Sequence, residues 1–236
     1  MEKVTQKDID WLLNLDTSTV PEKVPTRPLW IRILILTGIS LLLLLLPFFL
    51  LIRSSVYLHV SHQFSAWPSL ISGMSLTILL LLLYLLFIFR KFRDKRLLLK
   101  YGVIGISTLV LSFCVYGSVY LSSVHSKTET VRSYYRSLNP ILRVTSATIS
   151  LADKDFLITD IKRSPEDYLS MGLTPLERSM HYPQKNGYVH AIDIRTIGKS
   201  EVRNRVLQAS FFLLGFETLR HTGTADHLHI SLPLSD

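Results

Sequence analysis

The sequence predicts an α-helical membrane region of three transmembrane helices followed by an α+β domain with a small antiparallel sheet. Two observations carry that expectation. The apolar residues responsible for the mean hydropathy of +0.31 are concentrated in the first half, in three stretches: 33–52, 68–89 and 101–121. Each is near the ~20 residues a helix needs to cross a hydrocarbon core. Beyond them the pattern changes to short alternating segments bounded by turn residues, with one well-delimited helix.

Residues 1–29 read as a cytoplasmic tail. Its apolar stretch Ile9, Trp11, Leu12, Leu13, Leu15 precedes a connector with Pro21, Pro25 and Pro28, which suits either a surface helix or a partly disordered tail. Residues 30–121 form the three-helix region. The first stretch begins too deep in the chain and runs too long for a cleaved signal peptide. Six basic residues (Arg90, Lys91, Arg93, Lys95, Arg96, Lys100) flank the second connection, whereas 53–67 carries Arg53 and two histidines. Basic loops stay inside, so the expected localisation is the cytoplasmic membrane, with a cytoplasmic N-terminus and a periplasmic or extracellular C-terminal domain. Tyr57, Phe64 and Trp67 read as interfacial aromatics of an outer loop.

The net charge of +8 is not a nucleic-acid signal. From Ser122 onward there are 14 basic and 12 acidic residues, so the excess belongs to the membrane half, where inner-side loops and anionic lipids account for it. The sole cysteine, Cys114, falls in the third stretch, so no disulfide framework is available.

Residues 122–140 read as a juxtamembrane connector, helical over 128–138 and ended by Asn139-Pro140. Residues 141–236 make the α+β domain. Within it 142–151 alternates loosely and reads as a strand, with 156–161 as its hairpin partner. A short helix spans 165–172, stopped by glycine, and a strand covers 188–196. Ser200 caps a helix over 201–214 that Gly215 terminates, and strands at 218–222 and 227–232 close the sheet.

The chemistry lies in that last strand. In Asp226-His227-Leu228-His229 the two histidines share one face with Ser231, because strand side chains alternate with period two. Leu228, Ile230 and Leu232 point the other way, into a core. Paired imidazoles on one strand suit half of a zinc site. Asp193, in a strand whose Ile192 and Ile194 face the core, projects from the same kind of surface and supplies a carboxylate. The third ligand is His190 or His181. His190 lies three positions before Asp193 and so faces the opposite side in a regular strand; His181, on a loop, is favoured. The plain alternatives are surface-strand histidines at 227 and 229 and a salt bridge from Asp193 to Arg195 or Arg220.

The order of these residues resembles the zinc D-alanyl-D-alanine carboxypeptidases and dipeptidases, in the clan that includes murein endopeptidases, lysostaphin-type enzymes and the hedgehog signalling domain. The resemblance covers most of 156–233 and none of the membrane half. It rests on Leu157-Ile-Thr-Asp-Ile-Lys-Arg-Ser-Pro-Glu-Asp-Tyr168, Ser179-Met-His181, Gly187-Tyr-Val-His-Ala-Ile-Asp193 and Asp226-His-Leu-His229. It implies His181, Asp193 and His229 as zinc ligands, Arg163 and Ser179 as substrate-binding residues, and Asp226 or His227 as the general base. The expectation is therefore a membrane-anchored zinc metallopeptidase, a hydrolase of peptidoglycan stem peptides in the cell wall, of D,D-carboxypeptidase or endopeptidase type. Its expected partners are peptidoglycan peptide and membrane lipids, with no nucleic acid. The alternative is an inactive peptidase-like domain serving as a cell-wall binding or signalling module.

Overall fold

A computed structural model of the chain describes residues 5–7, 9, 28–170, 172, 174–223 and 226–234. The tail's apolar positions 11–15 lie outside the described residues. Three long helices come first: α1 (Leu29–Ser61), α2 (Ala66–Ile88) and α3 (Lys95–Val119). All three are long and apolar enough to cross a membrane. Most of their apolar side chains are exposed, an arrangement that suits lipid better than water around them. By its contacts the chain forms two compact units, residues 1–44 and 45–236, and α1 runs through both.

The expected outer loop over 53–67 is mostly helix. At 1.5 Å per residue the 33 residues of α1 reach about 50 Å, far beyond the ~30 Å of hydrocarbon. The excess continues as helix past Arg53 because Ser55, Val56 and His59 are buried, with Val56 joining the same apolar core as the domain. Within the bundle, α2 crosses α1 at Gly73, where a Cβ would collide with the Leu51 carbonyl and the Ser55 hydroxyl. Ser69, Gly73 and Thr77, all buried on one helix face, provide the small-residue stripe that lets membrane helices approach closely.

The connector is a short 3-10 turn (Ser123–His125), α4 (Glu129–Ser133) and a second 3-10 turn (Tyr134–Ser137). It is followed not by the strand expected over 142–151 but by a helix, α5 (Pro140–Ala152). Asn139 starts this helix rather than ending the previous one. Its side chain accepts a hydrogen bond from Ile141 N at 3.0 Å, and Pro140 occupies the first turn, the position where its missing N–H costs nothing. Residues 140–146 are all buried, and Gly117 of α3 leaves room for Ala147 and Val144. Burial on this seam overrides the strand preference of Val144, Thr145, Thr148 and Ile149. Tyr135 Oη, between Gly117 O (2.7 Å) and Arg143 O (2.8 Å), and Arg143, donating to Ser118 O (2.6 Å), tie α5 and the connector to the end of α3.

The sheet contains β1 (Ile158–Asp160), β2 (Ala191–Arg195), β3 (Glu217–His221) and β4 (His227–Ser231), all antiparallel in the order β1-β2-β4-β3. A short helix α6 (Pro165–Ser170) follows β1, and α7 (Glu201–Leu214) joins β2 to β3. Both α7 caps are as expected. The Ser200 side chain accepts from Arg203 N, and Gly215 closes the helix at φ 100°, a left-handed conformation natural to glycine. Ile192, Ile194, Leu228 and Ile230 are fully buried and belong to one apolar cluster with Leu142 and Val144 of α5, Leu207 and Phe211 of α7, and Leu51, Val56, Leu70 and Cys114 of the membrane helices. The sheet's apolar face is thus turned toward the membrane bundle, and its polar face away from it.

Candidate metal centre

Strand pairing brings the polar face together. Asp193 stands directly opposite His229, Arg195 opposite His227, and His227 opposite His221. Side chains directly opposite on neighbouring strands lie on one face and close to each other. His229 Nδ1 is 2.9 Å from Asp193 Oδ1.

The 180s loop delivers His181 over this face, and several main-chain bonds hold it there. Arg163 N donates to His181 O (3.2 Å), His190 N to Met180 O (2.9 Å), and His181 N to Ser179 Oγ (3.2 Å). The His181 ring is 3% exposed. Its Nδ1 lies 2.7 Å from the Ile161 carbonyl, which can only accept, so Nδ1 carries the proton and neutral His181 presents Nε2 as a bare lone pair. That Nε2 is 3.3 Å from His229 Nδ1 and 3.4 Å from Asp193 Oδ1.

His181, Asp193 and His229 therefore form a group able to hold a metal ion. Two features of the donor set fit zinc. Tetrahedral ligands at the usual zinc bond lengths stand about 3.3 Å from one another, close to the separations found. With His181 Nδ1 committed to a carbonyl, neutral imidazoles leave one proton, on His229 Nδ1, to be shared between two acceptors, His181 Nε2 and Asp193 Oδ1. A cation satisfies that set better than the single proton does.

Arg163 orients the carboxylate. It donates to Asp193 Oδ2 and, through Nε, to Asp160 Oδ2 at 2.5 Å, leaving Asp193 Oδ1 turned toward the histidines. Burial alone would raise the Asp193 carboxyl, but the two facing imidazoles and the charge of Arg163 outweigh it and hold it well below the usual range. One cation among two carboxylates leaves this cluster net negative, so Arg163 does not bar a metal ion. Asp160 was missed in the sequence; its place three residues before Arg163 is the only hint.

The remaining expected site residues fall into two sets. His227 lies at the rim, its Nε2 3.8 Å from Asp193 Oδ2 and its ring stacked on His221 at 4.6 Å. Asp226 is committed elsewhere: Arg220 donates to both its oxygens at 2.6 Å and Thr196 Oγ1 donates at 2.9 Å. Those bonds hold its carboxyl below the usual range, and it is not part of the three-residue group. Ser179 is buried, hydrogen-bonded to Tyr168 Oη (2.8 Å) and His181 N, where it shapes the loop. His190 lies on the opposite side of β2, as strand alternation requires, hydrogen-bonded with Asn186 (2.9 Å), Asn139 (3.3 Å) and the Leu232 carbonyl (3.4 Å).

Comparison with known proteins finds no matching family model, curated sequence or solved structure.

Proposed function

We propose that the chain is a membrane-anchored zinc peptidase that cleaves peptidoglycan stem peptides outside the cytoplasmic membrane, with its N-terminus in the cytoplasm. The observation that carries this reading is the convergence of His181 Nε2, Asp193 Oδ1 and His229 Nδ1 within 2.9–3.4 Å of one another. A His-Asp-His set leaves a fourth tetrahedral position for water or substrate, as catalytic zinc sites do. The placement of the basic loop between α2 and α3 supports the orientation. Zinc bound there would act as a Lewis acid on a carbonyl and lower the pKa of water.

The chain's own residues have distinct tasks in this reading. Arg163, fixed by Asp160 and Asp193, offers its remaining N–H donors to a peptide carbonyl or a terminal carboxylate. His227, at the rim beside Asp193, carries the proton between water and the leaving amine. The Asp193 carboxylate stabilises the imidazolium that His227 then becomes. Asp226, gripped by Arg220, fixes the start of β4 and so the position of both histidines.

The engagement of Asp226 is also the observation that favours the second reading, a non-catalytic wall-binding or signalling module. Purified full-length protein in detergent, supplied with zinc and incubated with muropeptides, separates them. The first reading expects a mass loss corresponding to peptide hydrolysis, abolished by His229→Ala. Intact muropeptides in the presence of a fully zinc-loaded chain would leave the module.

A further inference from the structure

α7 has two apolar faces and only one is covered. Asn204, Leu207, Phe211 and Leu214 are buried against the sheet. On the opposite side Val202, Val206, Ala209 and Leu213 follow one another at helical spacing, flanked by Phe212, and all are exposed. Phe212 and Leu213 are 68% and 63% exposed, more than any nearby core residue tolerates.

Three observations say what lies against the lower end of this stripe. First, charge falls away along the helix: Glu201, Arg203 and Arg205 occupy its start, and 206–214 contains none. Second, the helix runs toward the membrane bundle. Its Gly215 terminus meets Arg53 and Val56 of α1, close enough that a Cβ there would collide with the Arg53 guanidinium. Third, Arg53 is where the uncharged stretch of α1 ends, which puts it at the level of the lipid headgroups. Phe212 and Leu213 lie two or three residues before Gly215, within roughly 5 Å of that level along the helix axis.

We infer that the C-terminal half of α7 is a membrane-docking element, with Phe212 and Leu213 inserted among the headgroups of the adjacent leaflet. An amphipathic helix end with aromatic and aliphatic side chains and no charge fits the boundary between headgroup and acyl chain. Docking there adds a second attachment beside the α5 seam and fixes the tilt of the domain. The polar face of the sheet, with the His181–Asp193–His229 group, is then held facing away from the bilayer. This inference does not depend on the peptidase reading.

The single cysteine makes the test direct. In a Cys114→Ser background of the full chain, spin labels are attached singly at Val202→Cys, Phe212→Cys and Leu213→Cys. The protein is reconstituted in phosphatidylethanolamine–phosphatidylglycerol vesicles, and collisions with oxygen and with a water-soluble nickel complex are compared. The expected result is an inversion along the helix: the label at 202 collides mainly with nickel, and those at 212 and 213 mainly with oxygen. Nickel-dominated collisions at all three positions would overturn docking. Exclusion of both reagents from 212 and 213 would also overturn it, because a protein surface and not lipid would then cover them.

Discussion

Two pairs of histidines stand on opposite sides of β2, and their neighbours give them different chemistry. His181 and His229 face each other across 3.3 Å with Asp193 beside both. His59, near the C-terminal end of α1, faces His190 with ring centroids 5.8 Å apart. Among the described residues, the second pair has no carboxylate in hydrogen-bonding contact. Its partners are the Asn139 and Asn186 amides and the carbonyls of Phe64 and Leu232. Burial, reinforced by the neighbouring His59, pushes His190 down to about 4. Residue type is shared by the two pairs; the carboxylate, and the partial exposure of His229, separate a group able to hold a metal ion from a buried polar seam.

Removing the carboxylate has the largest expected effect. Asp193→Asn leaves Arg163 partly buried with one of its two acidic partners gone, and breaking such a pair costs about 3–5 kcal/mol. The variant is expected to lose metal uptake and to unfold at markedly lower denaturant in detergent. Wild-type metal content in this variant would show that the histidines suffice.

The seam pair makes a prediction about acid. His190 binds a proton at about 4 when folded and near its ordinary 6.5 when unfolded. Between those values the unfolded chain holds more protons, so stability is full above 6.5 and declines as the pH falls toward 4, by about 3 kcal/mol. Stability measured across pH 7 to 4 should fall, and His190→Gln should flatten that slope. An unchanged slope in the variant would place the acid sensitivity in other groups.

A smaller change would convert one pair toward the other. Asn139→Asp keeps the oxygen that caps α5 and sets a carboxylate against His190 Nε2. An opposite charge at that range raises a histidine by about 1–3 units, and an NMR titration of His190 reads the shift directly. No upward movement would mean that burial alone governs this ring.

The same contrast explains what could be read in the sequence. Period-two alternation placed His227 and His229 on one face and Leu228 and Ile230 in the core. Local chemistry at Ser200 and Gly215 delimited α7 at both ends. Periodicity also put His190 on the opposite face from Asp193. Features set by tertiary contact were less visible. The β-branched run in 142–151 reads as a strand, yet burial between sheet and membrane bundle makes it α5, and Asn139-Pro140 signals a helix start as readily as a stop. The helical continuation of α1 to Ser61 depends on Val56 and His59 finding partners in the domain. Nothing local ties Asp226 to Arg220 and Thr196, and so its engagement was not legible. The position of His181 depends on hydrogen bonds made between loop segments distant in sequence, among them Arg163 N to its carbonyl and its ring to Ile161 O.

Zinc content measured by elemental analysis on the full chain in detergent, after equilibration with zinc and removal of the excess, tests the central claim most directly. The account predicts one zinc per chain, lost in His181→Ala and in His229→Ala and retained in His190→Ala. A wild-type chain without zinc, or equal retention in the His181 and His229 variants, would contradict it.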